Sequence, residues 1–298
     1  MLLRTILLTS LALIAFAANS VLCRLALGNE AIDAASFTGI RLLSGAIALF
    51  IILTIKGKIN VTKQKSSKEK EPKGSWSASL ALFFYAITFS YAYLSIDTGT
   101  GALILFGSVQ ITMIVLSIIS GTRLHGIEWF GFICAFTGFV YPILPSISTP
   151  SISGLILMTI SGISWSVYTL KGRSSINPLM DTAYNFLRTI PFVAILPIFT
   201  LSNMSYTSEG IILALLSGAV TSGLGYTIWY IALGGLSSTQ AAVTQLSVPV
   251  IAAIGGVIFV SEAMTLRLII SASLVLSGIL MVVLGKYYHT QKQLKKQP

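Results

Sequence analysis

The stretch Ala241 to Glu262 reads AAVTQLSVPVIAAIGGVIFVSE and carries no charge before Glu262. About twenty apolar or small residues in a row are enough to cross a hydrocarbon core as a helix. Two of its features are of no use to a plain anchor. Pro249 removes a backbone donor within the span and invites a break in the helix. Gly255 and Gly256 follow it, and glycines let neighbouring backbones come close. The stretch also has an echo. Sliding back by 139 residues lays Tyr91-Ala92-Tyr93-Leu94 on Tyr230-Ile231-Ala232-Leu233, Ala102 on Ala241, and Ser108-Val109-Gln110 on Ser247-Val248-Pro249. The identities are few, and they point to a membrane protein of two related halves.

Composition agrees. Of 298 residues, 54% are hydrophobic and 9% charged, where a soluble protein carries roughly 25% charged residues. The net charge of +10 does not mark a nucleic-acid binder, because Lys and Arg sit between apolar blocks, as in membrane proteins. Cys23 and Cys134 lie in apolar contexts without CxxC spacing and read as small packing groups. His125 and His289 fall in a loop and a tail, so no metal cluster is visible and no cofactor is implied.

Ten apolar runs follow one another. The first half, residues 1–145, holds Thr5 to Cys23, Ala34 to Ile55, Trp76 to Leu94, Gly101 to Gly121 and Gly126 to Ile143, closed by Pro145 to Pro150. The second, residues 146–285, holds Ile152 to Leu170, Thr182 to Leu201, Gly210 to Leu233, Ala241 to Val260 and Leu268 to Leu284. A basic tail occupies 286–298, and the connector from Lys56 to Ser75, with seven Lys and two Glu, reads as a mobile surface loop. Ala15-Phe16-Ala17 resembles a signal-peptidase site, but cleavage there would leave an unpaired half, so the first run is read as retained. The expected fold is all-α and polytopic, with ten transmembrane helices.

Positive charge orients them. With the N-terminus in the cytoplasm, fifteen Lys and Arg fall inside and only Arg24 and Arg267 outside. Both termini are therefore expected in the cytoplasm of a cell with a cytoplasmic (inner) membrane. Five spans per half then turn the halves upside down relative to each other, as inverted repeats, the plan of many carriers.

Phe37 and Arg41 in the second run match Tyr184 and Arg188 in the seventh at an offset of 147. An intramembrane Arg costs several kcal/mol unless it faces a polar cavity, snorkels or finds a partner. Two readings stay open: snorkelling beside Asp33 and Asp181, or two charges flanking a central pathway and engaging an anionic part of a substrate. Asn19, Tyr91, Gln110, Trp165, Tyr168, Asn185, Tyr226, Trp229, Tyr230 and Gln245 are the other polar or aromatic candidates inside the runs. Each has the alternative of gluing one helix to another by hydrogen bonding. Gln245 and Pro249 share a face, and Gln110 aligns with Pro249 in the repeat, which makes these three the favoured central positions.

No carboxylate sits in the middle of a run, so an Asp/Glu proton relay is not expected. A Walker-type GxxxxGK[ST], a Ser/His/Asp set and an HExxH pair are all missing from the sequence.

At this point the residues resemble a known family, the EamA-type permeases of the drug/metabolite transporter superfamily. The resemblance covers about residues 5 to 285. It rests on Asn19-Ser20 with Arg24-Leu25-Ala26-Leu27, on Ser164-Trp165-Ser166-Val167-Tyr168, and on Gln245-Leu246-Ser247-Val248-Pro249 thirteen residues before Glu262. Such permeases usually carry an acidic residue after the fourth and ninth helices; Glu262 fits, whereas the first half has Gly121-Thr122-Arg123. The first half also has Gln110 where a proline is frequent. The resemblance implies an exporter of small organic metabolites, amino-acid-like or amphipathic and aromatic, working by alternating access around a midplane site in the lipid bilayer. The alternatives are a membrane scaffold or regulator without flux and, behind it, an intramembrane enzyme.

Overall fold

Inside a bilayer a backbone must satisfy its polar groups within its own segment, and helices do so. In the computed structural model the described residues are 2–60, 74–121, 125–141, 151–172, 175–200, 204–236 and 244–294. Much of the basic connector, Arg123, Pro145 to Pro150, Arg173, the start of the ninth run and the last tail lysines lie outside them. The elements are α1 (Leu2–Gly28), α2 (Ala34–Asn60), α3 (Trp76–Ala92), α4 (Thr98–Ile119), α5 (Gly126–Val140) and α6 (Ile152–Gly172). Then come α7 (Pro178–Leu187), α8 (Ile190–Thr200), α9 (Ser208–Leu215), a π-helical segment (Leu216–Leu224), α10 (Gly225–Leu233), α11 (Ser247–Phe259) and α12 (Leu266–Leu294). Among the described residues the one strand-like feature is an isolated bridge between Ile32 and Tyr206.

The chain is thus an all-α, multi-pass membrane protein. Among the described residues, six helical stretches are long and apolar enough to cross a bilayer: Leu3–Gly28, Ala34–Ile55, Thr98–Ile119, Ile152–Gly172, Ser208–Ala232 and Leu266–Gly285. Trp76–Ala92, Gly126–Val140 and Ser247–Phe259 are apolar but shorter. Large apolar side chains such as Ile47, Phe130, Ile133, Ile156 and Phe259 stand exposed, as side chains in contact with lipid would.

The seventh run differs from the single helix its composition implied. It divides into α7 and α8 at Arg188 and Thr189. Pro191 is the cause, since it has no N–H to give to Leu187 and its ring crowds the preceding turn. The Thr189 N–H and hydroxyl both donate to the Phe186 carbonyl, at 3.0 and 2.6 Å.

The ninth run also differs. Pro249 is the third residue of α11, where a helix has unpaired N–H groups in any case, so it sits in a first turn and interrupts nothing. The discontinuity falls before it, at Leu246, between the helical residues Thr244 and Gln245 and α11. The two glycines make room for neighbouring side chains and not, as the sequence implied, for backbone. A Cβ on Gly256 would meet Thr98 of α4 and Glu262, and one on Gly255 would meet Val21 of α1.

The helix pairs in contact include α1 with α9, the π segment and α10; α3 with α6; α2 with α7 and α8; α4 with α11; and α5 with α12. One core joins α1 to α4 and α6 to α11, and a smaller cluster gathers around Val275 and Ile279 of α12.

Candidate functional site

Small and hydroxylated residues fill the π segment, LSGAVTSGL, and let it lie close against α1 and α2. A Cβ on Gly218 would come within 2.1 Å of the Arg41 carbonyl oxygen. The widened turns hold three hydroxyls toward the core. Ser217 donates to Asn19 Oδ1 at 2.6 Å, and Thr221 Oγ1 lies 3.1 Å from the same oxygen. Ser222 Oγ accepts from Arg41 Nε at 3.4 Å. π turns within α-helices are frequent at functional sites, because they turn side chains out of the regular register.

Of these groups, Asn19 and Thr221 border a central cavity. Its lining comes from α1 (Phe16, Asn19, Ser20), α3 (Tyr85, Phe89), α4 (Leu105, Phe106), α6 (Trp165), the π segment (Thr221) and α10 (Tyr226). Space open to the centre of a water amounts to about 20 Å³, room for roughly one water. Aromatic rings occupy the rest. Ring centres step from Tyr93 to Phe89 (4.8 Å), Tyr85 (5.5 Å), Trp165 (4.7 Å), Tyr226 (5.2 Å), Phe16 (5.8 Å) and Trp229 (5.7 Å), with Tyr168 branching from Trp165.

Arg41 sits behind this wall and is 1% exposed, so it does not snorkel. Its Nη2 donates to Tyr85 Oη at 3.0 Å, and its Cζ lies 5.2 and 4.9 Å from the ring centres of Tyr85 and Phe89. Nη1 is buried without a hydrogen-bond partner. Arg188, by contrast, is the C-cap residue of α7 and lies over the rings of Trp76 and Tyr184. The two arginines matched by the repeat therefore occupy unlike places.

Of the other sequence candidates, Asn19, Trp165 and Tyr226 line the cavity. Tyr168 and Trp229 extend its aromatic wall. Tyr91, Gln110, Asn185, Tyr230, Gln245 and Pro249 lie outside the lining. Gln110 is buried in α4, and Tyr91, Tyr230 and Gln245 are half-buried. Asn185 accepts from the Ser75 N–H at 2.9 Å and so fixes the start of α3. Phe16, Tyr85, Phe89, Phe106 and Thr221 are lining residues that sequence reasoning passed over. The available signal was the run of small residues around Gly218, Ser222 and Gly223.

A polar clasp stands at each end of α3. At its C-terminal end Glu262 accepts from the Thr98 N–H, at 3.0 and 2.9 Å to its two oxygens, and from the Thr98 hydroxyl at 3.1 Å. It thereby caps α4 from a distant loop, while the N-cap residue Asp97 makes no side-chain cap bond itself. Arg24 Nε joins Glu262 at 3.2 Å, and Nη1 donates to the Tyr93 carbonyl at 2.9 Å. Ser261, with φ at 58°, takes the left-handed turn that presents Glu262. At the N-terminal end of α3, Asp181 accepts from the Gly74 N–H at 2.7 Å and from the Ser175 hydroxyl.

A second cavity, about 330 Å³, is an apolar groove between α2 and α8 lined by Ile40, Leu43, Val193, Leu196 and Pro197 among others. No group of His, Cys, Asp and Glu able to hold a metal occurs among the described residues.

Comparison with known proteins adds to this geometry. A Pseudomonas aeruginosa chain named "Uncharacterized protein PA1977" is 44% identical over 280 residues, 94% of each chain. An "Uncharacterized transporter" of Archaeoglobus fulgidus is 30% identical over 195 residues, 62% of this chain and 68% of that one. "Uncharacterized transporter YoaV" of Bacillus subtilis is 22% identical over 254 residues, 82% of this chain and 85% of that one. A protein known from a crystal structure is 16% identical, with a TM-score of 0.62 over 92% of this chain and 96% of that one, and so shares the fold. The model of the EamA-like transporter family matches residues 3–142 and again 152–284. With both halves matched and a polar, aromatic-walled chamber between the helices, this chain belongs to the EamA-like transporter family.

Proposed function

We propose that this protein is a carrier that exports a small organic metabolite across the cytoplasmic membrane by alternating access. In this reading ten spans form two inverted five-helix halves, residues 1–145 and 146–285, with both termini in the cytoplasm. The observation that carries it is the chamber at Asn19, Tyr85, Trp165 and Tyr226, pinched by rings and held by separate clasps at the two ends of α3. A carrier needs a site that neither side reaches at once, and gates at either end that open in turn. Family membership supports transport.

The helix pairing supports two halves related by a two-fold, which an odd number of spans per half turns into inverted ones. Taking α7 with α8, and α9 with the π segment and α10, as single spans, the contacts of spans two and seven, four and nine, and five and ten map onto themselves when each span is exchanged for the one five places on. Spans one and eight likewise exchange with six and three. Under this orientation the Arg24–Glu262 clasp is the outer gate and the Asp181 clasp the inner one. The lining offers hydroxyls, one carboxamide and aromatic faces, with no ionised nucleophile or acid–base pair among them, which speaks for binding over chemistry.

The test is metabolite profiling of the medium from cells lacking the protein and cells overproducing it. One compound or a narrow set should rise outside on overproduction and fall on deletion. Unchanged profiles under both conditions would refute export.

A further inference from the structure

We infer, resting on the carrier reading above, that the cargo is an organic monoanion, a carboxylate on a flat apolar body, received by Arg41 behind the wall of the aromatic chamber.

Arg41 is a fully buried cation whose polar contacts are neutral. Its donors reach Tyr85 Oη and Ser222 Oγ, and Nη1 has no partner. The side chains it meets, Tyr85, Ser222 and the Phe89 ring, include no carboxylate. The carboxylates of the described residues are engaged or lie at helix ends. Asp33 holds the Ser36 and Ser205 amides, Asp97 and Glu262 meet Arg24, Glu128 closes on His125, and Asp181 holds Gly74. Glu30 lies in the turn after α1 and Glu209 in the first turn of α9.

A guanidinium withdrawn from water without a counter-ion is expensive, and the ring faces of Tyr85 and Phe89 offset only part of that cost. A bound carboxylate accepting from Nη1 supplies the missing countercharge through a charge-assisted bond. The rest of the cargo meets Phe16, Tyr85, Phe89, Phe106, Trp165 and Tyr226, a wall that suits a flat apolar body stacked between rings. The same wall would accept a cation by its ring faces, but the charge of Arg41 and a lining free of carboxylates disfavour any cargo bearing a positive group, zwitterions included. With room for about one water, the chamber admits cargo only as the rings part.

The experiment is thermal stability of the purified full-length protein in nanodiscs against matched probes: benzoate and phenylacetate, their neutral amides, the corresponding benzylamine and phenethylamine, and chloride. The carboxylates should raise the melting temperature while amides, amines and chloride do not. Arg41→Gln should weaken carboxylate binding by about tenfold or more, the worth of one charge-assisted bond, and Arg41→Lys should retain a weaker response. The inference is overturned if no carboxylate stabilises, if amides or amines match the carboxylates, if chloride reproduces their effect, or if the response survives Arg41→Gln. Should Arg41→Gln fail to fold, the wild-type charge series and Arg41→Lys still decide. Flux in proteoliposomes separates the two readings. Transport of a neutral or cationic metabolite would keep the carrier and reject the anion, whereas Arg41-dependent carboxylate binding without flux would keep the anion site and reject the carrier.

Discussion

At Asn19 a single carbonyl oxygen stands before two hydroxyls, Ser217 and Thr221, both on the π segment. Replacing Asn19 by Leu strands the Ser217 hydroxyl in a buried place, because Thr221 can still return its proton to the Ser217 carbonyl at 2.8 Å. The expected loss is about 1–3 kcal/mol, read as a lower melting temperature of the purified protein. Ser217→Ala in the Asn19→Leu background should recover part of it, and an additive loss would show that the bond was not the cause. Glu262 is the second decisive residue. Glu262→Ala removes the ion pair with Arg24 and the cap of α4 together, and should cost about 1–3 kcal/mol. Glu262→Gln keeps an oxygen for the Thr98 amide and should cost less. Equal losses in the melting temperatures of the two variants would mean that the cap bonds contribute nothing. Asn19 and Glu262 were visible in the sequence as an amide within a run and an acid just after one. Their partners, up to 238 residues away in sequence, were not.

Helices meet here where side chains are smallest. Gly218 lets the π segment rest on the backbone of α2 at Arg41, and Gly256 makes room for Thr98 and Glu262. In Gly218→Ala the new methyl meets backbone, which cannot swing aside, so the loss should exceed the usual 1–3 kcal/mol of overpacking. The check is the yield of monodisperse protein on size exclusion. Gly225→Ala is the control, since its nearest neighbour is the Ala15 side chain at 3.0 Å. A normal yield for Gly218→Ala would mean that the π segment can move away from α2. The break between α7 and α8 follows from Pro191, a signal that the reading of Thr182 to Leu201 as one run passed over. The π segment was not readable from the sequence, because its extra width depends on what α1 and α2 present to it. Pro249 makes the same point from the other side, since a proline strains a helix interior and is tolerated in a first turn. Only knowing where α11 begins distinguishes the two.

For the whole molecule the orientation predicts accessibility. In a protein lacking Cys23 and Cys134, single cysteines placed in Ser146–Ser151 should react with an impermeant thiol reagent on intact cells. Single cysteines in the 56–75 connector should react only after the membrane is opened. The opposite pattern would invert the bundle, exchange inner and outer clasps, and overturn the orientation read from the positive charges.

What the sequence determined by itself was set by composition and period: an all-helical chain within a membrane, two comparable halves, and polar residues placed sparingly within apolar runs. Those follow from the cost of exposing backbone and charge to hydrocarbon, which acts on every segment wherever its neighbours lie. The tertiary structure alone decided which polar residues share one chamber. Asn19, Trp165 and Tyr226 line it with Tyr85 and Phe89, while Asn185 and Arg188 stand at the end of α7 that faces α3. It also decided that Arg41 and Arg188, alike in the repeat, differ in burial. Those outcomes depend on which helices touch, and that is settled by small residues, hydroxyls and rings meeting across long separations in the chain, interactions that no local pattern records.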